Sequence, residues 1–385
     1  MLSEQTLKKL IRYRHELHAI PEISHKEEKT AAYIKEKLEQ TDPDSIIDEI
    51  GGHGLVAIYN GTDPENGPVL MIRAELDALA IEEQNEVSYK SEHTGRMHAC
   101  GHDGHMAIVL GVAEWLRDHR PEKGKVMLLF QPAEETGEGA ERMLSDPKFK
   151  EFHFDRGFAL HNLPGYKKNT VYIRSKTFAL ASVGIKITLS GKSSHAAFPE
   201  EGINPSAALA ELVNKLCEIQ KKLSSSDDTR VLTITYLKVG EPAFGINPGQ
   251  GEAGVTIRAE TDDKAKQLYE RVVKTIEEIN NRFECEITHE ESEPFAATVN
   301  DEDGVEKLKQ VAKKQSINIE ELDEPIRWSE DFGSFRKNGP ITLFGLGAGE
   351  KHETLHSETY DFNDDLIACG AKTFCEWIKS ELNEG

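Results

Sequence analysis

The sequence predicts an α/β protein: a domain in two segments around a central, mostly parallel sheet, with a smaller α+β unit of ferredoxin-like order inserted between them. Three observations predict it. Apolar strand-like runs alternate with amphipathic helical periodicity up to about residue 180. Between 183 and 290 the order becomes β-α-β-β-α-β. After residue 300 the strand and helix alternation returns.

The elements follow in order. Leu7, Leu10, Ile11 and Leu17 fall near helical spacing, and helix 27–39 puts Ala31, Ile34 and Leu38 on one face. LVAIYN (55–60) and VLMIRA (69–74) read as strands, the second apolar on both faces as a central strand should be. A helix runs from about Asp103 to Leu116, and strands follow at 125–130 and near 157–160. In VGIKITLS (183–190), Val183, Ile185, Ile187 and Leu189 alternate, marking a half-buried strand. Asn204-Pro205 reads as an N-cap with Pro at the first helical position of a helix carrying Leu209, Leu212, Val213 and Leu216. Strands 231–239 and 253–260 come next. Thr261-Asp262-Asp263 opens a helix with Leu268, Val272, Val273, Ile276 and Ile279, and strand 283–290 closes the unit. Helix 301–315, strand 341–346 and helix 364–380 complete the chain. The expected borders are 1–179, 180–291 and 292–385, and the Ser/Asp patch 224–228 is expected at a loop tip.

Of the 385 residues, 46 are Lys or Arg and 68 are Asp or Glu, a net charge of −22. Such a field repels nucleic acid and anionic membranes, so neither is an expected partner. No apolar run approaches the roughly 18–20 residues of a membrane span. The charged amphipathic N-terminus lacks the apolar core of a secretion signal, which predicts a cytoplasmic protein. Five cysteines (Cys100, Cys217, Cys285, Cys369 and Cys375) are odd in number and irregular in spacing, so a disulfide framework is not expected.

Only Cys100 sits among histidines, in His98-Ala99-Cys100-Gly101-His102-Asp103-Gly104-His105. Thiolate and imidazole suit zinc and other borderline divalent ions. Cys100 and His102, two apart around a glycine, can bend towards one ion at a helix N-terminus, which helps hold a thiolate. His98 and His105 read as supporting or helix-face residues. Glu134 and Glu135 follow the apolar strand VMLLF; adjacent strand-end side chains point apart, so one can bind a metal while the other faces a water. His161 and His356 each follow an apolar run. In open α/β sheets, sites form beyond the carboxyl ends of strands. Glu75, Asp77, Glu134, Glu135, His161 and His356 are all expected there, which gives enough donors for two metals with one shared ligand. Asp77 is the candidate for orienting a ligand histidine, and Asp331 reads either as a supporting carboxylate or as a helix start. A Cys-His thiol hydrolase built on Cys100 and a non-catalytic metal-binding protein are the alternatives.

These residues lie in motifs that run nearly end to end: RHELHAIPEIS (14–24), RAELDAL (73–79), MHACGHDGHMA (97–107), FQPAEETGEGA (130–140), ALHNLP (159–164), GKSSHAAFP (191–199), SEDFG (329–333) and LHSETYDF (355–362). With them the chain resembles the M20 metallopeptidase family, in its amidohydrolase branch of aminoacylases, hippurate hydrolases, auxin-conjugate hydrolases and N-acetyl-diaminopimelate deacetylases. The resemblance implies two divalent ions, zinc or manganese before cobalt or nickel. Cys100 would bridge them, with His102, Glu135, His161 and His356 completing the ligand set. It implies Glu134 as general base and amide hydrolysis of an N-acyl amino acid, with a dipeptidase or exopeptidase as the nearest alternative. The inserted unit would be a lid and the seat of a homodimer. His195 would polarise the scissile carbonyl, and Arg258 would meet the substrate carboxylate.

The chain departs from the family pattern at Glu75, where Asp is usual, at Ala80, where Pro is usual, and at Pro199-Glu200, where Pro-His is usual. Gly245 stands where the family has a substrate-contacting Asn, which leaves open whether Asn247 replaces it.

Overall fold

The computed structural model describes residues 2–224 and 229–382. It divides into two compact units: 1–178 with 298–325 and 330–385, and 179–297 with 326–329. Residues 225–228 of the expected loop tip lie outside the described residues, while Ser224 ends a helix.

The larger unit begins with α1 (Glu4–Ala19), capped by Ser3, whose hydroxyl accepts from Thr6 N at 3.1 Å. Then come α2 (Glu28–Glu39), β1 (Ser45–Ile50), β2 (Gly54–Asn60), β3 (Val69–Glu75), α3 (His102–Asp118), β4 (Lys125–Gln131), α4 (Gly139–Ser145), β5 (Arg156–Pro164), β6 (Thr170–Ile173) and β7 (Lys176–Ala179). The smaller unit holds β8 (Ala181–Ser190), β9 (Ser194–His195), α5 (Ser206–Ser224), β10 (Val231–Val239), β11 (Ile246–Asn247), β12 (Gln250–Ala259), α6 (Asp262–Asn280) and β13 (Glu286–Phe295). The chain then returns to the larger unit with β14 (Thr298–Asn300), α7 (Glu302–Gln315), β15 (Asn318–Glu321), β16 (Ile341–Gly349) and α8 (Leu366–Leu382).

The main sheet runs β1-β2-β4-β3-β5-β16-β6-β15. Its centre, β4-β3-β5-β16, is parallel throughout. Antiparallel pairings sit outside it, at β1–β2, β2–β4 and β16–β6. β3 and β4 are buried along nearly their whole length, as strands covered on both faces must be. α3 lies against this sheet and is buried almost all round. Close packing demands a glycine there, because a Cβ on Gly104 would stand 2.4 Å from the Phe362 ring.

The smaller unit is an antiparallel sheet, β10-β12-β8-β13, packed on α5 and α6. Ile185, Ile187 and Leu189 of β8 meet Leu212 and Leu216 of α5 and Leu268, Val272 and Ile276 of α6 in its core. The expected helix starts are present: Asn204 Oδ1 accepts from Ser206 N at 2.8 Å, and Thr261 Oγ1 accepts from Lys264 N at 3.2 Å.

The closing strand differs from expectation. It begins at Glu286 rather than Phe283 and extends to Phe295. Asn280 Oδ1 takes Ile287 N at 2.7 Å, which holds 281–285 in the turn after α6. The short elements β1, β6, β7, β14, β15 and α4 carry too few residues to show a period in the sequence. Among the described residues no helix is long and apolar enough to cross a membrane.

Candidate metal centre

The site lies where the strand ends of the larger unit meet the start of α3. β3 runs into Leu76 and Asp77, and β4 runs into the turn that carries Glu134 and Glu135. β5 carries His161, the connection after β16 carries His356, and Cys100 precedes α3. Gly101 caps α3 with φ +90°, a left-handed conformation that lets the chain double back between Cys100 and His102. Glu134 and Glu135 do not point apart as expected: Glu134 Oε2 and Glu135 Oε1 lie 3.8 and 3.9 Å from the same His102 Nε2. They lie in a turn after the strand, not on its end, and the turn is entered by Ala133 at φ +51°. Glu27 Oε1 pins that residue by accepting from Ala133 N at 2.8 Å.

The expected donors converge. Cys100, His102 and His161 offer ligand atoms within 4.8 Å of one another. So do Cys100, Glu135 and His356. The two triads share one atom, the sulfur of Cys100, which lies 3.4 Å from His161 Nε2. His356 Nε2 is 3.7 Å from Glu135 Oε2. Glu134 Oε2 stands 3.8 Å from His102 Nε2, outside the two triads that share Cys100 but in two further groups of the same kind, with His102 and Glu135 and with Glu330 and Asp331.

Hydrogen bonds present the ring nitrogens. His102 Nδ1 lies 2.9 Å from the Asp77 carbonyl oxygen, and His161 Nδ1 lies 2.8 Å from that of Asn162. Each ring therefore donates from Nδ1 and turns Nε2 towards the sulfur or the acids. The Asp77 carboxylate accepts from Ser24 Oγ at 2.7 Å and from Glu135 N at 3.0 Å, and its other oxygen is 3.5 Å from His102 Nδ1. Asp77 thus holds the His102 ring on one side and the Glu135 backbone on the other.

The electrostatics favour a cation. Burial, then Glu135, Glu134 and Glu75, push the Cys100 thiol well above its usual range. Burial, then Glu330, Glu135 and Asp331, raise Glu134 well above the carboxylate range against the pull of Arg73. Burial raises Glu135 to about 7. Although burial works against it, His102 is drawn up to about 10 by Glu75, Asp77 and Glu135. His102 Nε2, Glu135 Oε1 and Asp77 Oδ1 are buried and unpartnered within the protein. Leaving such atoms unmatched costs about 1–3 kcal/mol each. A divalent ion among sulfur, imidazole and carboxylate would satisfy His102 Nε2 and Glu135 Oε1 and compensate the acids, so the residues present fit the group.

In the smaller unit, His195 is exposed on β9, with its Nδ1 accepting from Ala197 N at 3.0 Å. Arg258, on β12, donates to Ser329 Oγ at 2.7 Å and to the Arg327 carbonyl at 3.4 Å. Among the described residues no carboxylate forms an ion pair with it. Asn247 does not project from the unit. Its amide donates to Ser194 Oγ at 3.0 Å and its carbonyl accepts from Asn204 Nδ2 at 2.7 Å. Gly245 leaves open space where a Cβ would stand.

The profile of peptidase family M20/M25/M40 matches residues 71–380. The chain belongs to that family. This M20 chain is 35% identical to the N-acetyldiaminopimelate deacetylase of Bacillus subtilis, over 91% of its own length and 93% of the relative's. It is 30% identical to the hippurate hydrolase of Campylobacter jejuni, over 94% of each. Its fold matches the YXEP protein of Bacillus subtilis, a dinuclear metal-binding peptidase from the M20 family, with a TM-score of 0.81, 25% identity and 99% of each chain covered. It is accordingly a hydrolase of amide bonds.

Sequence reasoning missed the charged layer behind the donors of the M20 chain. Arg73, fully buried in β3, donates to Glu75, to Glu330 at 2.8 Å, to Asp331 at 2.9 Å and to Gln131 at 3.0 Å. Asp331 is seen in one of the two roles left open for it, the helix start. It starts the 3₁₀ turn Asp331–Lys337, and its carboxylate accepts from Gln131 Nε2 at 2.7 Å and from Ala140 N at 2.9 Å. The available signal was Arg73 itself, a lone cation in a strand apolar on both faces.

Proposed function

We propose that this protein hydrolyses N-acyl amino acids, releasing an amino acid and a carboxylic acid. The observation that carries the reading is the pair of donor triads sharing Cys100 Sγ, with Glu134 beside them. Cys100, His102 and His161 would hold one divalent ion, and Cys100, Glu135 and His356 a second. Zinc suits the thiolate and imidazoles, and manganese is the next candidate, ahead of cobalt and nickel. Bound there, the ions would polarise an amide carbonyl and bring the pKa of a water towards neutrality.

Glu134 takes the proton of that water and delivers it to the departing nitrogen. It must accept from water and then give to an amine, and its place 3.8 Å from His102 Nε2 puts it at the donor cluster where both occur. His195 donates to the carbonyl oxygen as charge develops, a contribution of about 3 kcal/mol for one such donor. Arg258, half-buried and without an acid partner among the described residues, receives the substrate carboxylate. Asn247 is occupied within its own unit, so it is no substitute for the asparagine missing at Gly245. The smaller unit serves as the lid and the seat of a homodimer. The outer edge of β10, with Tyr236 and Leu237 43% and 49% exposed, supports that assignment.

A thiol nucleophile is disfavoured by the same electrostatics. Cys100 and His161 lie close enough to pair, yet burial and three acids oppose a thiolate unless a cation is present. The test is hydrolysis of acetyl- and benzoyl-amino acids against dipeptides, with and without chelator. Chelator-sensitive cleavage of the acyl amino acids is expected. Preference for dipeptides would make the protein a peptidase, and activity that resists chelator but not alkylation would make Cys100 the nucleophile.

A further inference from the structure

Behind the ligands runs a continuous chain of buried hydrogen bonds that none of the assigned roles uses. The Glu75 carboxylate accepts from Arg73 at one oxygen and lies 2.8 Å from His105 Nδ1 at the other. His105 Nε2 accepts from Asn162 N at 3.1 Å, so this ring is the Nδ1–H tautomer and donates to Glu75. The Asn162 side chain donates to the Cys100 carbonyl at 2.7 Å and accepts from the Tyr360 hydroxyl at 2.6 Å. Glu75, Asn162 and Tyr360 are wholly buried, and His105 is 1% exposed.

The chain touches each ligand-bearing segment and stays outside the two triads that share Cys100, while Glu75 and His105 form a donor group of their own with His102. Asn162 follows His161 and grips the Cys100 backbone. Tyr360 belongs to the connection that carries His356, whose own N–H donates to the Ala99 carbonyl at 2.8 Å. At the far end Arg73 reaches Gln131, the last residue before the turn of Glu134 and Glu135. Four segments far apart in sequence are therefore fixed to one another by buried, hydrogen-bonded groups. Glu75 is central because one carboxylate serves both Arg73 and His105.

We propose that Glu75, His105, Asn162 and Tyr360 form a positioning relay that sets the spacing of Cys100, His161 and His356, and with it the affinity of the centre for its ions. This rests on the reading of those residues as ligands. Replacing groups that orient metal ligands typically weakens binding by about 10–100-fold. Tyr360→Phe removes one hydroxyl and leaves Asn162 Oδ1 without its donor. Glu75→Gln keeps the size but turns an amide N–H₂ towards either Arg73 or His105, both of which are donors.

The experiment titrates Co²⁺ into metal-free protein against a competing chelator, following the thiolate-to-cobalt absorption, with near-UV circular dichroism to establish folding. Both variants are expected to fold and to bind about 10–100-fold more weakly than wild type, with an altered cobalt spectrum. A merely structural role would lower the melting temperature while leaving affinity and spectrum unchanged in the folded protein. That result overturns the relay alone. A wild-type protein that takes up no Co²⁺ overturns the metal centre and the relay together. If Glu75→Gln does not fold, the milder Tyr360→Phe decides.

Discussion

His18 offers a pH-dependent stability that can be worked through from its surroundings. It is buried on α1 with Nδ1 2.8 Å from Asp103 Oδ2 and Nε2 3.2 Å from Glu83 Oε1. Asp103 also receives Arg14 Nε at 2.9 Å. Burial alone would lower the imidazole, but the bonds to Asp103 and Glu83 prevail over it and over the repulsion of Arg14, raising His18 from 6.5 to about 9. The folded state therefore holds its proton more tightly than the unfolded chain. The resulting stabilisation, about 3 kcal/mol, is complete below the unfolded value and is lost as the pH rises through the folded one. Between those limits it falls by about 1.4 kcal/mol per pH unit. Urea unfolding of chelator-treated wild type and His18→Gln, at a series of pH values from about 6 to about 9, measures the difference. The advantage of wild type should shrink by most of that amount across the range. A difference that stays constant with pH would refute the doubly bonded imidazolium.

Two further predictions concern the site. Glu134→Gln should retain metal and lose about 10²–10⁴-fold in kcat, whereas His356→Ala should lose metal as well as turnover, as metal analysis beside steady-state kinetics will show. Normal turnover by Glu134→Gln removes the base. Arg258→Ala should raise KM by about 10–100-fold for acyl amino acids with a free carboxylate, through loss of a charged hydrogen bond. The same substitution should leave KM unchanged for the corresponding carboxamides, and an equal effect on both would remove the carboxylate contact.

The parts of this fold that were legible in the sequence are those whose periodicity is long. VLMIRA and VMLLF announce central strands, and the spacing of Leu268, Val272, Ile276 and Ile279 announces α6. The convergence of Cys100, His161 and His356 was readable because His356 follows a strand and Cys100 precedes a helix, both at the edge where parallel strands end, although His161 lies within β5 rather than after it. The turn that brings Glu134 and Glu135 to the same His102 nitrogen was not readable. It depends on Ala133 being held at positive φ by Glu27, a contact between residues 106 positions apart. The relay was illegible for the same reason. His105 looks like any helix-face histidine until Glu75 and Asn162 are brought to its two nitrogens by separate strands.

Accounting for ring nitrogens separates the histidines better than motif position does. His18 and His105 have both nitrogens engaged by protein groups, so neither has a lone pair to offer an ion. His102 has Nδ1 engaged by a carbonyl and Nε2 buried among acids without a partner. His161 has Nδ1 engaged likewise and Nε2 against a sulfur. The first pattern gives a structural imidazole, as in His18 and His105. The second gives a ligand, because the hydrogen bond fixes the tautomer and leaves the other nitrogen as a σ donor. His98 fits neither: it is buried with both nitrogens unpartnered, and burial holds it down at about 3, neutral at any working pH. Of the histidines in the His98–His105 run, then, His102 alone is prepared for a metal, and the others build the wall that keeps it in place.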